Sequence, residues 1–257
     1  MKTNKKTSTT LALGILLMLN MSSCEKISTR LLEKVMETSF DLDTTKWGPL
    51  QEEMLTVAPF HKIDAHGAVG IEYHQDTTYS VKVVACQNCM DKYKVYVEED
   101  ELCIELNDSH SMNINKNTPR MVIHVGAPYI RKYDMSGACK IAMQGKIESE
   151  EDVEIEISGA AQVDIDDLRC RNFDLDADGA AKARISSLKC SENAILDIEG
   201  AGAANMEVDC KNVEVKVSGA GKVLVSGKAE HLRERAQGAA KINTEHLTVK
   251  TKESTEE

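Results

Sequence analysis

Six times between Ser136 and Ala239 the chain writes a short motif ending in Gly-Ala, at intervals of about twenty residues. The copies are Ser136-Gly137-Ala138, Ser158-Gly159-Ala160, Asp178-Gly179-Ala180, Ala201-Gly202-Ala203, Ser218-Gly219-Ala220 and Gln237-Gly238-Ala239. Self-similarity at this period marks stacked structural units, none of which can bury a core alone. Each unit has an incoming alternating strand such as Val153-Glu154-Ile155-Glu156-Ile157, then the turn, then an outgoing strand such as Val163-Asp164-Ile165. Alternation at period two is the signature of a half-buried strand. Glycine supplies a positive φ or a close backbone approach at a corner, and alanine leaves room for the same corner in the next unit. Corners stacked about 4.8 Å apart would collide if they carried bulky side chains. Beyond Asp134 there is no proline, as uninterrupted ladders require, and Phe173 is the only aromatic residue.

These features predict an all-β chain: a repetitive, single-stranded parallel β-helix or solenoid with one coil per repeat. The alternative is an antiparallel β-sandwich or prism of repeated hairpins, which can show the same period. At one turn the registers disagree. Ile198 fits the incoming strand if Gly200 is the turn glycine, whereas Met206 fits the outgoing strand if it is Gly202. The expectation is a two-residue insertion inside that turn.

Residues 1–23 read as an export signal, with basic Lys2, Lys5 and Lys6 followed by a short apolar run from Leu11 to Met21. It ends at Met21-Ser22-Ser23-Cys24, which resembles a bacterial lipoprotein box and makes Cys24 the expected lipidation site. Acyl chains would then anchor the mature protein without spanning the bilayer. Residues 24–53 are expected to form a lipidated tether, with helical spacing at Leu31, Leu32, Val35 and Met36. Residues 54–133 form an N-terminal β region that holds all six tyrosines. The Gly-Ala repeats occupy 134–250, and 251–257 is a polar tail.

The formal charge is −11, and loss of the signal lysines makes the mature chain more acidic still. Such a chain does not neutralise phosphates, which argues against nucleic acid as a partner. The expected partners are the membrane, through the N-terminal lipid, and an unknown protein or surface ligand.

The opening Phe60-His61-Lys62-Ile63-Asp64-Ala65-His66-Gly67-Ala68-Val69, the alternating stretch ending in Leu102-Cys103-Ile104, and the Ser-Gly-Ala turns resemble a known family. It is called "putative auto-transporter adhesin, head GIN domain", and the resemblance covers about Val57 to Val249. It implies an exported, often lipid-anchored, repetitive all-β domain and brings no catalytic residues. The chain departs from the pattern at Asp178 and Gln237, where other turns have Ser, and in its cysteine content.

Three constellations could carry chemistry. Cys86-Gln87-Asn88-Cys89 is a CxxC, expected to be a loop cysteine pair that could form a disulfide. It lacks the βαβ context of a redox dithiol and the second CxxC of a zinc site. Cys170, Cys190 and Cys210 recur in step with the repeat and would stack in a column as small buried hydrophobes. Asp174, Asp176 and Asp178 match the start of a calcium loop, but Ile185 stands where its closing Glu is needed. The bland alternative is an outward acidic row, with Asp164, Asp166, Asp197 and Glu199 stacked beside it. The seven histidines are scattered and read as surface residues. No cofactor is expected, and no hydrolase, P-loop or dinucleotide fingerprint occurs.

The expected function is therefore a non-catalytic, lipid-anchored protein of the cell envelope, at the outer membrane, with an adhesin-like β-repeat head. A periplasmic structural lipoprotein is the first alternative and a polysaccharide-active β-helix enzyme the second. An enzyme of that kind would need basic residues and aromatic platforms, which the repeat half lacks.

Overall fold

The structure, a computed structural model, describes residues 48–107 and 121–256. The expected signal, Cys24 and most of the tether lie outside these residues. The strands are β1 (Leu50–Leu55), β2 (Lys62–Gly67), β3 (Val69–Gln75), β4 (Ser80–Cys86), β5 (Tyr93–Glu98), β6 (Glu101–Leu106) and β7 (Met121–Ala127). They continue with β8 (Lys132–Glu148), β9 (Val153–Cys170), β10 (Phe173–Gly200), β11 (Ala203–Gly219), β12 (Lys222–Gly238) and β13 (Lys241–Glu256). One short helix, α1 (Gln87–Met90), follows β4.

From β8 to β13 every pairing between consecutive strands is parallel, and the register holds except for local shifts at bends, as between Met143 and Lys146 and between Leu224 and Ser226. The chain winds a β-solenoid of about six turns. Inward positions are apolar: Ile155, Leu175, Leu196 and Val215 fill one column of the core and are almost wholly buried. Outward positions alternate with them and carry the charges, as a half-buried strand demands.

The corner column is Gly67, Gly137, Gly159, Gly179, Gly200, Gly219 and Gly238, all with φ between +81° and +118°. An added Cβ on any of the five from Gly137 to Gly219 would lie 2.4–2.6 Å from the carbonyl oxygen of the preceding corner glycine. Glycine is thus required twice over, by conformation and by stacking. Ala201, Ala220 and Ala239 each donate a backbone hydrogen bond to that same carbonyl one coil back, at 2.8–2.9 Å.

This column corrects the expected insertion. Gly200 pairs with Gly219, and Ala203 with both Lys182 and Lys222, so the turn holds no extra residues. Gly200 is the corner, and Gly202 matches Ala161 and Ala181 elsewhere. The length differences fall at other bends, between Ile185 and Leu188 and between Cys190 and Asn193.

The N-terminal region caps the solenoid. β2 and β3 form the first coil, stacked parallel on β8 around the corner at Gly67. Beyond β2 lies β6 and then antiparallel β5; beyond β3 lies β7, then antiparallel β4 and β1. Antiparallel pairing is thus confined to the cap. Two boundaries also move. Leu50 to Glu53, expected as the end of the tether, pair with β4, and the expected polar tail continues β13 to Glu256.

Candidate functional site

Four connections of the cap meet around one imidazole. His61 precedes β2, Tyr79 lies between β3 and β4, Asp100 sits in the β5–β6 hairpin, and Tyr129 and Arg131 lie between β7 and β8. The chain places them firmly. Phe60 is fully buried beside His61, and Ile130 is buried between Tyr129 and Arg131. Backbone bonds then lock the rows: His61 and Lys62 donate to the Asp100 carbonyl at 3.0 and 3.2 Å, and Arg131 donates to the His61 carbonyl at 2.8 Å.

The side chains complete the cluster. His61 Nδ1 lies 2.6 Å from Asp100 Oδ1, and Arg131 Nη2 donates to Asp100 Oδ2 at 2.7 Å. His61 Nε2 lies 2.8 Å from the Tyr79 hydroxyl. With the Nδ1 proton held by the carboxylate, Nε2 accepts and the phenol donates. The imidazole stacks on Tyr129 with centroids 4.4 Å apart and meets Tyr79 edge-on at 5.8 Å. Tyr79, Tyr129 and His61 remain half-exposed.

Asp100 holds this arrangement under strain. Glu99 and Asp100 form the two central residues of the hairpin turn, with φ of 46° and 72°. Both positions favour Gly or Asn, and a left-handed L-residue costs about 1–2 kcal/mol. Strain of this kind gathers where a side chain must be aimed. Burial pushes the Asp100 carboxyl up, but hydrogen bonds from His61 and Arg131 outweigh it and hold it below the usual carboxylate range. Burial, with Tyr129 and Asp100 nearby, pushes the Tyr79 phenol up. The phenol therefore stays protonated at neutral pH, suited to hydrogen bonding and ring contact rather than nucleophilic attack.

The sequence shows these histidines as scattered, and His61 as a surface residue. Only coil register brings residue 61 to residue 131, so alternation alone cannot reveal the cluster. The Glu99-Asp100 pair between two alternating strands is the one local signal.

The residues singled out from the sequence lie elsewhere. Cys86 ends β4 and caps α1, Cys89 lies within that helix, and both side chains are buried. Cys170, Cys190 and Cys210 stack in register, as expected, and the sulfurs of Cys170 and Cys190 lie 3.8 Å apart. Asp174, Asp176 and Asp178 point outward. Their neighbours on one side are Glu154, Glu156 and Ser158, with Asp197 and Glu199 on the other. Asp164 and Asp166 are not in that row: Asp164 is on the outgoing strand, 3.4 Å from Arg184. Among the described residues no group of three or more His, Cys, Asp or Glu side chains is gathered to hold a metal ion.

The fold defines a repeat-built β-solenoid domain with a mixed-sheet cap bearing an aromatic–imidazole cluster. The chain belongs to the family described as "Putative auto-transporter adhesin, head GIN domain", whose model matches residues 59–188 and 183–255. Its fold is similar to the crystal structure of a "putative adhesin" from Bacteroides fragilis, with 20% identity and a TM-score of 0.60 over 81% of this chain and 96% of that one. A "putative adhesin" from Parabacteroides merdae is similar at 16% identity and a TM-score of 0.57, over 81% and 97%. No curated protein sequence matches the chain.

Proposed function

We propose that the protein is a non-catalytic, adhesin-like binding domain, exported and held at the cell envelope by lipid on Cys24. The observation that carries this reading is the cap cluster. Its carboxylate and imidazole end on a protonated phenol, so the array orients rings on a rigid scaffold and offers no activated nucleophile. Loops fixed on a rigid scaffold are the usual seat of binding residues. The family description and the names of the two similar structures support the same class. Among the described residues no helix is long and apolar enough to cross a bilayer, consistent with attachment through acyl chains.

Metabolic labelling with a palmitate analogue and protease treatment of intact cells test this reading together. Label on the wild type but not on Cys24→Ala, with the domain cleaved from intact cells, is the expected result. Protection from protease would favour the periplasmic structural lipoprotein. Depolymerisation of a polysaccharide by the purified chain would overturn the non-catalytic assignment.

A further inference from the structure

The geometry points to the cap cluster as a binding site for a neutral oligosaccharide, with Tyr129 and Tyr79 as ring platforms and Arg131 and Asp100 as the hydroxyl-binding pair. This rests on the adhesin-like reading and gives it a ligand class.

Sugars present an apolar C–H face and a rim of hydroxyl groups, so a sugar site needs an aromatic surface beside donors and acceptors. The cluster supplies both within one contiguous patch. Tyr129 is fixed flat against His61, and His61 is fixed by Asp100 and Tyr79. Rigid rings lose little entropy on binding, and an array ordered beforehand loses less still. Arg131 bonds Asp100 through a single nitrogen, Nη2 to Oδ2, which leaves its other N–H groups and the remaining carboxylate lone pairs for vicinal hydroxyls. This explains why a strained turn is kept with Asp at its second position, where Gly would remove the strain and the carboxylate together.

The surroundings decide between ligand classes. A protein interface is depleted of charge at its core and covers roughly 800 Å² per partner. Here Lys62 stands opposite Glu101 and Lys132 in the strand ladder, and Glu98 opposite Glu101, so charged residues adjoin His61, Asp100 and Arg131 along the chain and across the ladder. With Glu99 and Asp100 added, acids outnumber bases around the patch. That disfavours sialylated or sulfated glycans and leaves neutral ones.

The test applies the full lipidated protein, in mild detergent, to a printed array of neutral, sialylated and sulfated oligosaccharides, with calorimetry on the bound species. Neutral oligosaccharides should bind with little change between low and high salt. Tyr129→Ala and Arg131→Gln should each weaken binding by about tenfold or more, or about 1.4 kcal/mol. Tyr79→Phe, which keeps the ring, should weaken it less. Thermal melts accompany each variant; if Tyr129→Ala does not fold, Tyr129→Leu takes its place. Binding confined to acidic glycans, or binding that survives loss of the Tyr129 ring, overturns the proposal. If no glycan binds while cells still adhere through this protein, the ligand class fails and the adhesin-like reading stands. If neither binding nor adherence is seen, both fail.

Discussion

At Gly200 the backbone has a φ of +109°, and an added Cβ would lie 2.5 Å from the Gly179 carbonyl oxygen. At Gly202 the backbone lies outside the left-handed region, and the nearest obstacle is a methyl of the buried Ile198 side chain at 2.6 Å rather than backbone. Gly200→Ala should therefore cost about 2–4 kcal/mol, and Gly202→Ala, which strains only a side chain, about 1–2 kcal/mol, read from denaturant midpoints. Equal losses would mean that the corner is wrongly placed. Tyr93 performs a different task. Its hydroxyl accepts the Ala68 N–H at 3.0 Å, standing in for the corner carbonyl that each later coil finds in its predecessor. Tyr93→Phe leaves that buried donor unpaired and should lower stability by about 1–3 kcal/mol in the same measurement. The corner glycines were legible because their spacing is regular. Which glycine turns the chain at Glu199-Gly200-Ala201-Gly202 was not, because both candidates carry a following Ala and only strand pairing separates them.

Along the incoming strands, one outward column reads Asp64, Asp134, Glu156, Asp176, Asp197, Lys216 and Arg235. Lys132 bridges Glu154 and Glu156 at 3.2 and 2.8 Å, and Lys216 lies 3.8 Å from Asp197. Asp174 and Asp176 have no ion pair among the described residues. Burial first, and neighbouring carboxylates second, push Asp134, Asp174 and Asp176 above the usual range. A raised carboxyl holds its proton more tightly folded than unfolded, so stability should rise as pH falls from neutral through these values. Asp100 and Asp152 act in the opposite sense. Asp152, bonded by Nε and Nη2 of Arg171, is lowered to about 2, and its contribution is lost as the pH falls from about 4 through that value. Thermal melts should therefore show a maximum on the acid side of neutrality. Asp176→Asn should stabilise the chain at pH 7 by roughly 0.2–1 kcal/mol and flatten the rise. Alternation made this acidic row readable, but not its neighbours, since stacking order depends on where each coil bends. At one such bend Asn172, Asn193 and Asn212 pass amide hydrogen bonds from coil to coil at 2.7 and 2.8 Å. Their spacing was in the sequence, without the apolar pattern that draws attention to strands.

The two ends of the solenoid are finished differently. At the first coil, hairpins and the Tyr93 hydroxyl close the column. At the last, the core column that runs Ile155, Leu175, Leu196 and Val215 ends in Glu234 and Ser254. Glu234 is bonded there by Lys252 at 2.6 Å, Ser254 at 2.9 Å and Thr244 at 3.3 Å. Inward-pointing charge is a known defence of a sheet edge against pairing with another chain. The double variant Glu234→Val, Lys252→Val should remain folded but associate with rising concentration in light scattering. A strictly monomeric variant would refute that role. The corner bonds at Ala201, Ala220 and Ala239 also have a direction: each N–H reaches back to the glycine carbonyl of the coil before it. Synthesis delivers the N-terminal coils first. At these corners the later coil therefore arrives to find its acceptor already in place, an order that matches the one in which the coils leave the ribosome.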